Sequence, residues 1–122
     1  MSIYEYFTRS NGDCPARDFI DDPKRSNIRA GIDARLQILK KHGREDMEHL
    51  IAGGSIVPLR DIHGLWIRGL YELKHSNWRL AFYHDLARDC FVLLNGWIKT
   101  KGRQPLDIAR AISLCNEYLQ VR

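Results

Sequence analysis

Apolar residues recur with two different periods along the chain, and the change falls near residue 54. Ile28, Ile32, Leu36 and Leu39 return every three or four residues, the spacing of one buried helix face. Asp22-Pro23 predicts the start of that helix, with a carboxylate at the cap and a proline just inside. His42-Gly43 predicts its end, after about Lys41. Met47, Leu50 and Ile51 predict a further helical stretch closed by Gly53-Gly54. Ahead of these helices, Ile3-Tyr4-Glu5-Tyr6-Phe7 reads as a short strand and Ser10-Asn11-Gly12-Asp13 as a turn. Pro15 then opens a short helix carrying Phe19 and Ile20.

Beyond Gly54 the pattern turns β-rich. Leu70-Tyr71-Glu72-Leu73-Lys74, Trp78-Arg79-Leu80-Ala81-Phe82-Tyr83 and Cys90-Phe91-Val92-Leu93-Leu94 are aromatic and branched runs joined by hairpin-length connections. Ile56 to Arg68 leads into the first of them, with Pro58 and Gly64 interrupting its regularity. Pro105 opens a last helix with the stripe Ile108, Ile112, Cys115 and Leu119. Strand, helices, three-strand meander and helix, in that order, predict one α+β domain over residues 1–122. Its N-terminal strand and helices would pack on a small antiparallel sheet, followed by a C-terminal helix.

A length of 122 residues allows one core, and 44% hydrophobic with 28% charged residues suits a folded domain. No apolar run approaches the roughly 20 residues that cross a bilayer. Cys14, Cys90 and Cys115 show no Cys-x-x-Cys spacing, as expected of reduced thiols in a cytoplasmic protein. The formal net charge of +4 is unevenly spread. Residues 1–57 hold nine basic and nine acidic side chains, whereas residues 58–122 hold ten and six. No acid falls between Asp89 and Asp107, where Lys99, Lys101 and Arg103 cluster. That stretch is either a solvated basic loop or a face for phosphates or an acidic partner.

Phosphate-loop, dinucleotide and zinc spacings are absent, and His42, His49, His63, His75 and His84 are scattered without a metal-ligand pair. Neither a metal nor another cofactor is expected. The remaining chemistry is cationic. Arg79 interrupts an apolar strand and must face solvent, a polar cleft or an acidic neighbour such as Glu72, because burying an unpaired guanidinium is costly. If it shares a cleft with Lys74, Lys99 and Lys101, the group suits a phosphodiester.

The ordered set Leu70 to Lys74, Trp78 to Tyr83, Phe91 to Lys99, then Pro105 and Ile108 to Ala111, resembles the RelE/ParE toxin superfamily, most closely its HigB-type, phage-derived branch. Gly12, Pro15, Phe19 and the long helix fit the same branch. The resemblance implies a RelE-like fold and the toxin of a type II toxin–antitoxin pair. The implied activity is metal-independent endoribonuclease action on mRNA, on or off the ribosome, by attack of a 2′-OH on the adjacent phosphate. The implied partner is a helix-turn-helix antitoxin. In that reading Arg79, Lys99 and Lys101 hold the phosphate, and Arg68, Lys74, Trp78 and Arg103 hold RNA. Glu72 is either a general base or, as we favour, the holder of Arg79. Trp97 is read as core in preference to a stacking platform. The chain departs from the branch at Asn95, where histidine is usual, at Thr100, in place of a second lysine, and at Ile108, where RelE has tyrosine. Those departures suit the alternative equally: a ParE-like protein that inhibits DNA gyrase and cuts no RNA.

Overall fold

The computed structural model describes residues 3–100, 102 and 104–122, with the backbone alone for 42–44 and 46. Five strands form one sheet: β1 (Ile3–Tyr6), β2 (Ile56–Arg60), β3 (Trp66–His75), β4 (Trp78–Asp85) and β5 (Cys90–Ile98). Their order across the sheet is β1-β5-β4-β3-β2. Three helices accompany them: α1 (Pro15–Ile20), α2 (Ser26–Ala52) and α3 (Pro105–Val121).

The expected α+β class stands, but the sheet is mixed. β2 to β5 form an antiparallel meander, whereas β1 pairs with β5 in parallel, from Ile3 opposite Cys90 to Tyr6 opposite Leu93. A short turn can only join antiparallel neighbours; β1 and β5 are separated by most of the chain, so the parallel ladder is open to them. β2, read from sequence as an irregular approach to the meander, is an edge strand. Pro58 is tolerated there because an edge strand leaves one side of its backbone without a ladder.

The long helix also differs from expectation. Asp22 accepts from the Lys24 amide (2.9 Å) and caps a 3-10 turn, Pro23–Arg25, which runs into α2 at Ser26. α2 then continues without a stop to Ala52. A glycine in a helix interior costs about 1 kcal/mol relative to alanine, and tertiary packing outweighs that cost. Met47, Leu50 and Ile51 extend the buried row of Ile32, Leu36 and Leu39 onto the same cluster.

Each sheet face is covered. Leu73, Trp78, Leu80, Phe82, Phe91 and Leu93 pack against α1 and α2. Leu70, Ala81, Tyr83, Val92, Leu94 and Trp97 pack against α3 through Ile108, Ala111, Cys115 and Tyr118. No helix among the described residues is long and apolar enough to cross a membrane.

Candidate functional site

The α3 face of the sheet is not covered to its end. Near the N-terminus of α3 it opens into a cleft of about 330 Å³, with Val57, Pro58 and Leu59 on one side and Trp97 and Ile108 on the other. Arg60, Glu72, Lys99 and Gln104 supply its polar lining. Strand periodicity explains the gathering. Glu72 lies opposite Ala81, Lys74 opposite Arg79 and Arg79 opposite Trp97, so these positions share one face. Lys99 follows Trp97 by two.

Glu72 is the electrostatic centre. Its carboxylate lies 3.1 Å from the Arg79 Nε, with side-chain exposures of 17% and 12%. Burial pushes the Glu72 pKa up, and the positive fields of Arg79, Lys74 and Lys99 offset only part of that rise. Several cations therefore surround one acid whose proton affinity is increased, in a setting that suits proton transfer. Arg79 is held from both sides, since its Nη1 donates to the carbonyls of Trp78 (2.7 Å) and Ser76 (3.1 Å). Ser76 lies in the hairpin turn with φ of 54°, in the left-handed region. Lys99 is exposed and donates from Nζ to the Gly102 carbonyl at 2.7 Å. Gln104 Nε2 donates to Thr100 Oγ1, closing the loop between β5 and α3.

The sequence-derived site is thus gathered in part. Glu72, Arg79, Lys74 and Lys99 are brought together. Lys101 and Arg103 lie outside the described residues. Arg68 does not join them: it is near the other end of β3, beside Tyr83 and Arg122 in a separate cavity. Trp78 is 1% exposed and packs in the cluster under α2, so it has no free ring face for a base. It alternates with Arg79 and so points to the opposite face. Trp97 is 5% exposed and belongs to the α3 core while its edge lines the cleft. The residues missed from sequence are Arg60, Gln104 and the β2 wall. The branched and apolar run Ile56-Val57 with Leu59 signals the β2 wall and is masked by Pro58, whereas no local pattern marks Gln104.

A second polar group lies at the far end of α3. Tyr118 donates to the buried Asp85 (2.7 Å) and accepts from Arg88 (2.6 Å), while Arg88 also pairs with Glu5 on β1 (2.8 Å) and Arg122 with Asp85 (3.2 Å). Burial pushes the Asp85 pKa up, but the bonds from Tyr118, Arg122 and the Arg88 amide outweigh it and hold that pKa below the ordinary aspartate value. Tyr118 is pushed up to about 12, mainly by burial and then by its bond to Asp85. Every titratable member has its partner, so the group ties β1, β4 and α3 together. Among the described residues no cluster of three or more His, Cys, Asp or Glu side chains is placed to hold a metal ion.

Comparison of the sequence with protein-family models and with curated proteins returns no match.

Proposed function

We propose that this chain is a metal-independent endoribonuclease, the toxin of a type II toxin–antitoxin pair whose partner is a helix-turn-helix antitoxin. The observation that carries the nuclease reading is Glu72: a carboxylate with raised proton affinity, lining a cleft and surrounded by Arg79, Lys74 and Lys99. The resemblance of the β3 to α3 segments to HigB-type toxins supports the toxin assignment.

In this reading a ribose 2′-oxygen attacks the adjacent phosphorus as the bond to the 5′-oxygen breaks. Glu72 takes the 2′ proton, and its raised pKa brings it nearer the working pH range of a general base. Arg79, oriented by the same carboxylate, and Lys99 stabilise the charge that grows on the phosphoryl oxygens. The leaving 5′-oxygen takes a proton from solvent or a cationic neighbour. The products are a 2′,3′-cyclic phosphate and a 5′-hydroxyl.

The test incubates the purified protein with a defined transcript in EDTA, alone and in a translation extract, and maps the ends formed. Cleavage leaving cyclic phosphate ends is expected, reduced by about a hundredfold in Arg79→Met, the scale of losing one transition-state donor. Intact transcripts in both settings would overturn the reading, and loss of supercoiling on added gyrase would point to the ParE-like alternative.

A further inference from the structure

Two described residues other than glycine have φ in the left-handed region, Ser76 (54°) and Asp89 (49°). Ser76 is the one beside Glu72 and its cations. With Asn77 it forms the two-residue turn between β3 and β4, whose flanking residues His75 and Trp78 are paired in the ladder. Asparagine tolerates a left-handed backbone better than serine does, yet Asn77 stands outside that region and Ser76 within it. Local preference therefore does not place the strain. A strained residue persists where its surroundings over-determine it, and such residues concentrate at functional sites.

The surroundings hold this turn at three points. On the α2 side, Arg35 Nη2 lies 2.8 Å from His75 Nδ1. A guanidinium has no acceptor, so the ring nitrogen accepts. The His75 ring in turn meets the Trp78 ring edge-on, with 6.1 Å between centroids. On the β5 side, the Asn77 carbonyl accepts from the Lys99 amide at 2.7 Å, which fixes the chain where Lys99 leaves the sheet. On the Glu72 face, the Ser76 carbonyl has no ladder partner and accepts from Arg79 Nη1 at 3.1 Å. The Ser76 hydroxyl bonds no described residue, so the residue acts through its backbone alone.

What that carbonyl does follows from the shape of its donor. A guanidinium is a rigid planar fork, so fixing one nitrogen aims the other two. Arg79 Nη1 rests on the Ser76 and Trp78 carbonyls, which leaves Nε 3.1 Å from Glu72 Oε1. The Trp78 carbonyl belongs to the neighbouring residue of the same strand and restrains Nη1 from one side. The Ser76 carbonyl, reached across the turn, restrains it from the other. Burial raises the Glu72 pKa, and the field of Arg79 is the largest influence opposing that rise. The placement of Arg79 therefore tunes the acid.

We infer that Ser76 is a positioning residue: its left-handed backbone aims a carbonyl at Arg79 and so sets that guanidinium against Glu72. The consequence for RNA cleavage rests on the function proposed above, but the placement of Arg79 does not. The test compares Ser76→Val with Ser76→Gly in the full chain. Both remove the hydroxyl, but valine is disfavoured in the left-handed region and glycine enters it freely. The Glu72 titration is followed by NMR of isotope-labelled glutamate carboxyl carbons, its signal being the one lost in Glu72→Gln. Ser76→Val should move the Glu72 midpoint to higher pH, because Arg79 no longer opposes burial. It should also lower transcript cleavage about tenfold, the scale of a small misplacement in an active site, and carry the acid limb of the rate profile upward with the Glu72 midpoint. Ser76→Gly should restore both to wild-type values. If Ser76→Val fails to fold, Ser76→Ala, which is less strained at that φ, should move the midpoint in the same direction by a smaller amount. A Glu72 midpoint that matches wild type in Ser76→Val, or in Ser76→Ala where that replaces it, would overturn the inference, and so would an equal shift in Ser76→Gly. A shift confined to Ser76→Val in a protein that cuts no transcript would sustain the positioning role and sink the nuclease; cleavage with an unmoved midpoint would do the reverse.

Discussion

The ion pair between Glu72 and Arg79 makes a quantitative prediction that opposes the usual intuition about buried salt bridges. The pair is 3.1 Å across and both side chains are more than four-fifths buried. With charge centres roughly 4 Å apart, its attraction lies between about 1 kcal/mol in water and about 4 kcal/mol at the effective dielectric of a protein surface. The low exposure places it in the upper half of that range, so a double-mutant cycle should return a coupling of about 2–3 kcal/mol. Yet the Glu72 pKa is raised, because burial disfavours the charged carboxylate more than its cations favour it. The folded state therefore prefers an uncharged side chain at 72. Glu72→Gln should cost nothing at pH 7 or stabilise slightly, even though it removes one half of an ion pair. Arg79→Met keeps the stem over the sheet but strips the carboxylate of its closest cation and the Ser76 and Trp78 carbonyls of a donor. It should cost about 3 kcal/mol, a fall in thermal midpoint of about 12 °C at this chain length. Adding Glu72→Gln to Arg79→Met should then recover most of the loss.

Urea denaturation of the four proteins at pH 7 measures the cycle. The pH dependence supplies an internal check. A carboxylate whose folded pKa lies above its unfolded one contributes stability that is fully present below the unfolded value and is lost as pH rises through the folded value. Wild type and Glu72→Gln should therefore converge in acid, with wild type falling behind as pH rises through the carboxylate range. A coupling below about 0.5 kcal/mol, or a Glu72→Gln variant that is itself destabilised by 2 kcal/mol or more, would refute the reasoning. The carboxylate would then not hold Arg79, and the cleft would lose its electrostatic centre.

Three further outcomes are expected. Tyr118→Phe removes the hydroxyl shared by Asp85 and Arg88 and should cost about 2 kcal/mol. Because the Asp85 pKa is lowered, its contribution is present above the ordinary aspartate pKa and is lost as pH falls through the folded value, so the variant should unfold at a higher pH in a circular-dichroism acid titration; coincident acid midpoints would contradict this. Gly96→Ala drives a methyl into the Phe19 ring and should cost about 1–3 kcal/mol by overpacking, while Phe19→Leu in the same chain should recover part of it in thermal unfolding. Cys90 and Cys115, whose thiols burial pushes up to about 11, should resist a thiol reagent at pH 7.5 until the protein unfolds.

The parts of the fold legible in the sequence are those where one period dominates. The rows of α2 and α3 and the alternation in β4 are read from residue spacing alone, and so is Arg79 as a cation in an apolar strand. What escaped reading is non-local or locally contradictory. Gly43 carries a stop signal by composition, but the stop is overridden because Met47, Leu50 and Ile51 gain a core by continuing the helix. Pro58 argues against a strand unless the strand is an edge, and edge status depends on a sheet order that no local window contains. The direction of β1 is hidden for the same reason. Trp78 and Arg79 are adjacent in sequence and equally suited to RNA; only the register of β4 sends one to the helices and the other to the face that carries Glu72. Arg68 shares the even spacing of Glu72 and Lys74, but it sits at the far end of a ten-residue strand whose alternation breaks at Gly69 (φ of 100°), so that Ile67 as well as Leu70 packs on the α3 cluster. Parity assigns a face only while the alternation is unbroken, and it says nothing of distance along that face.

That distinction between face and position explains why α3 organises the molecule. Its side chains from Ile108 to Tyr118 cover the α3 face of the sheet from the middle to the Asp85 end. Its first turn, anchored by Asn95 to the Asp107 carbonyl, is where coverage ceases. A sheet whose face is left open where a helix begins exposes backbone and side-chain polar groups that the core has no means to satisfy, and these must meet solvent or a ligand. Here the opening lies beside that helix end, with Glu72 and Lys99 in its lining. A substitution that moves the start of α3 should therefore disturb the cleft. Pro105→Gly loosens that start without touching the lining of the cleft, and it should weaken transcript cleavage while the Asp85–Tyr118 end keeps its protection in hydrogen exchange. Cleavage at the wild-type rate would show that the cleft is built independently of the helix start.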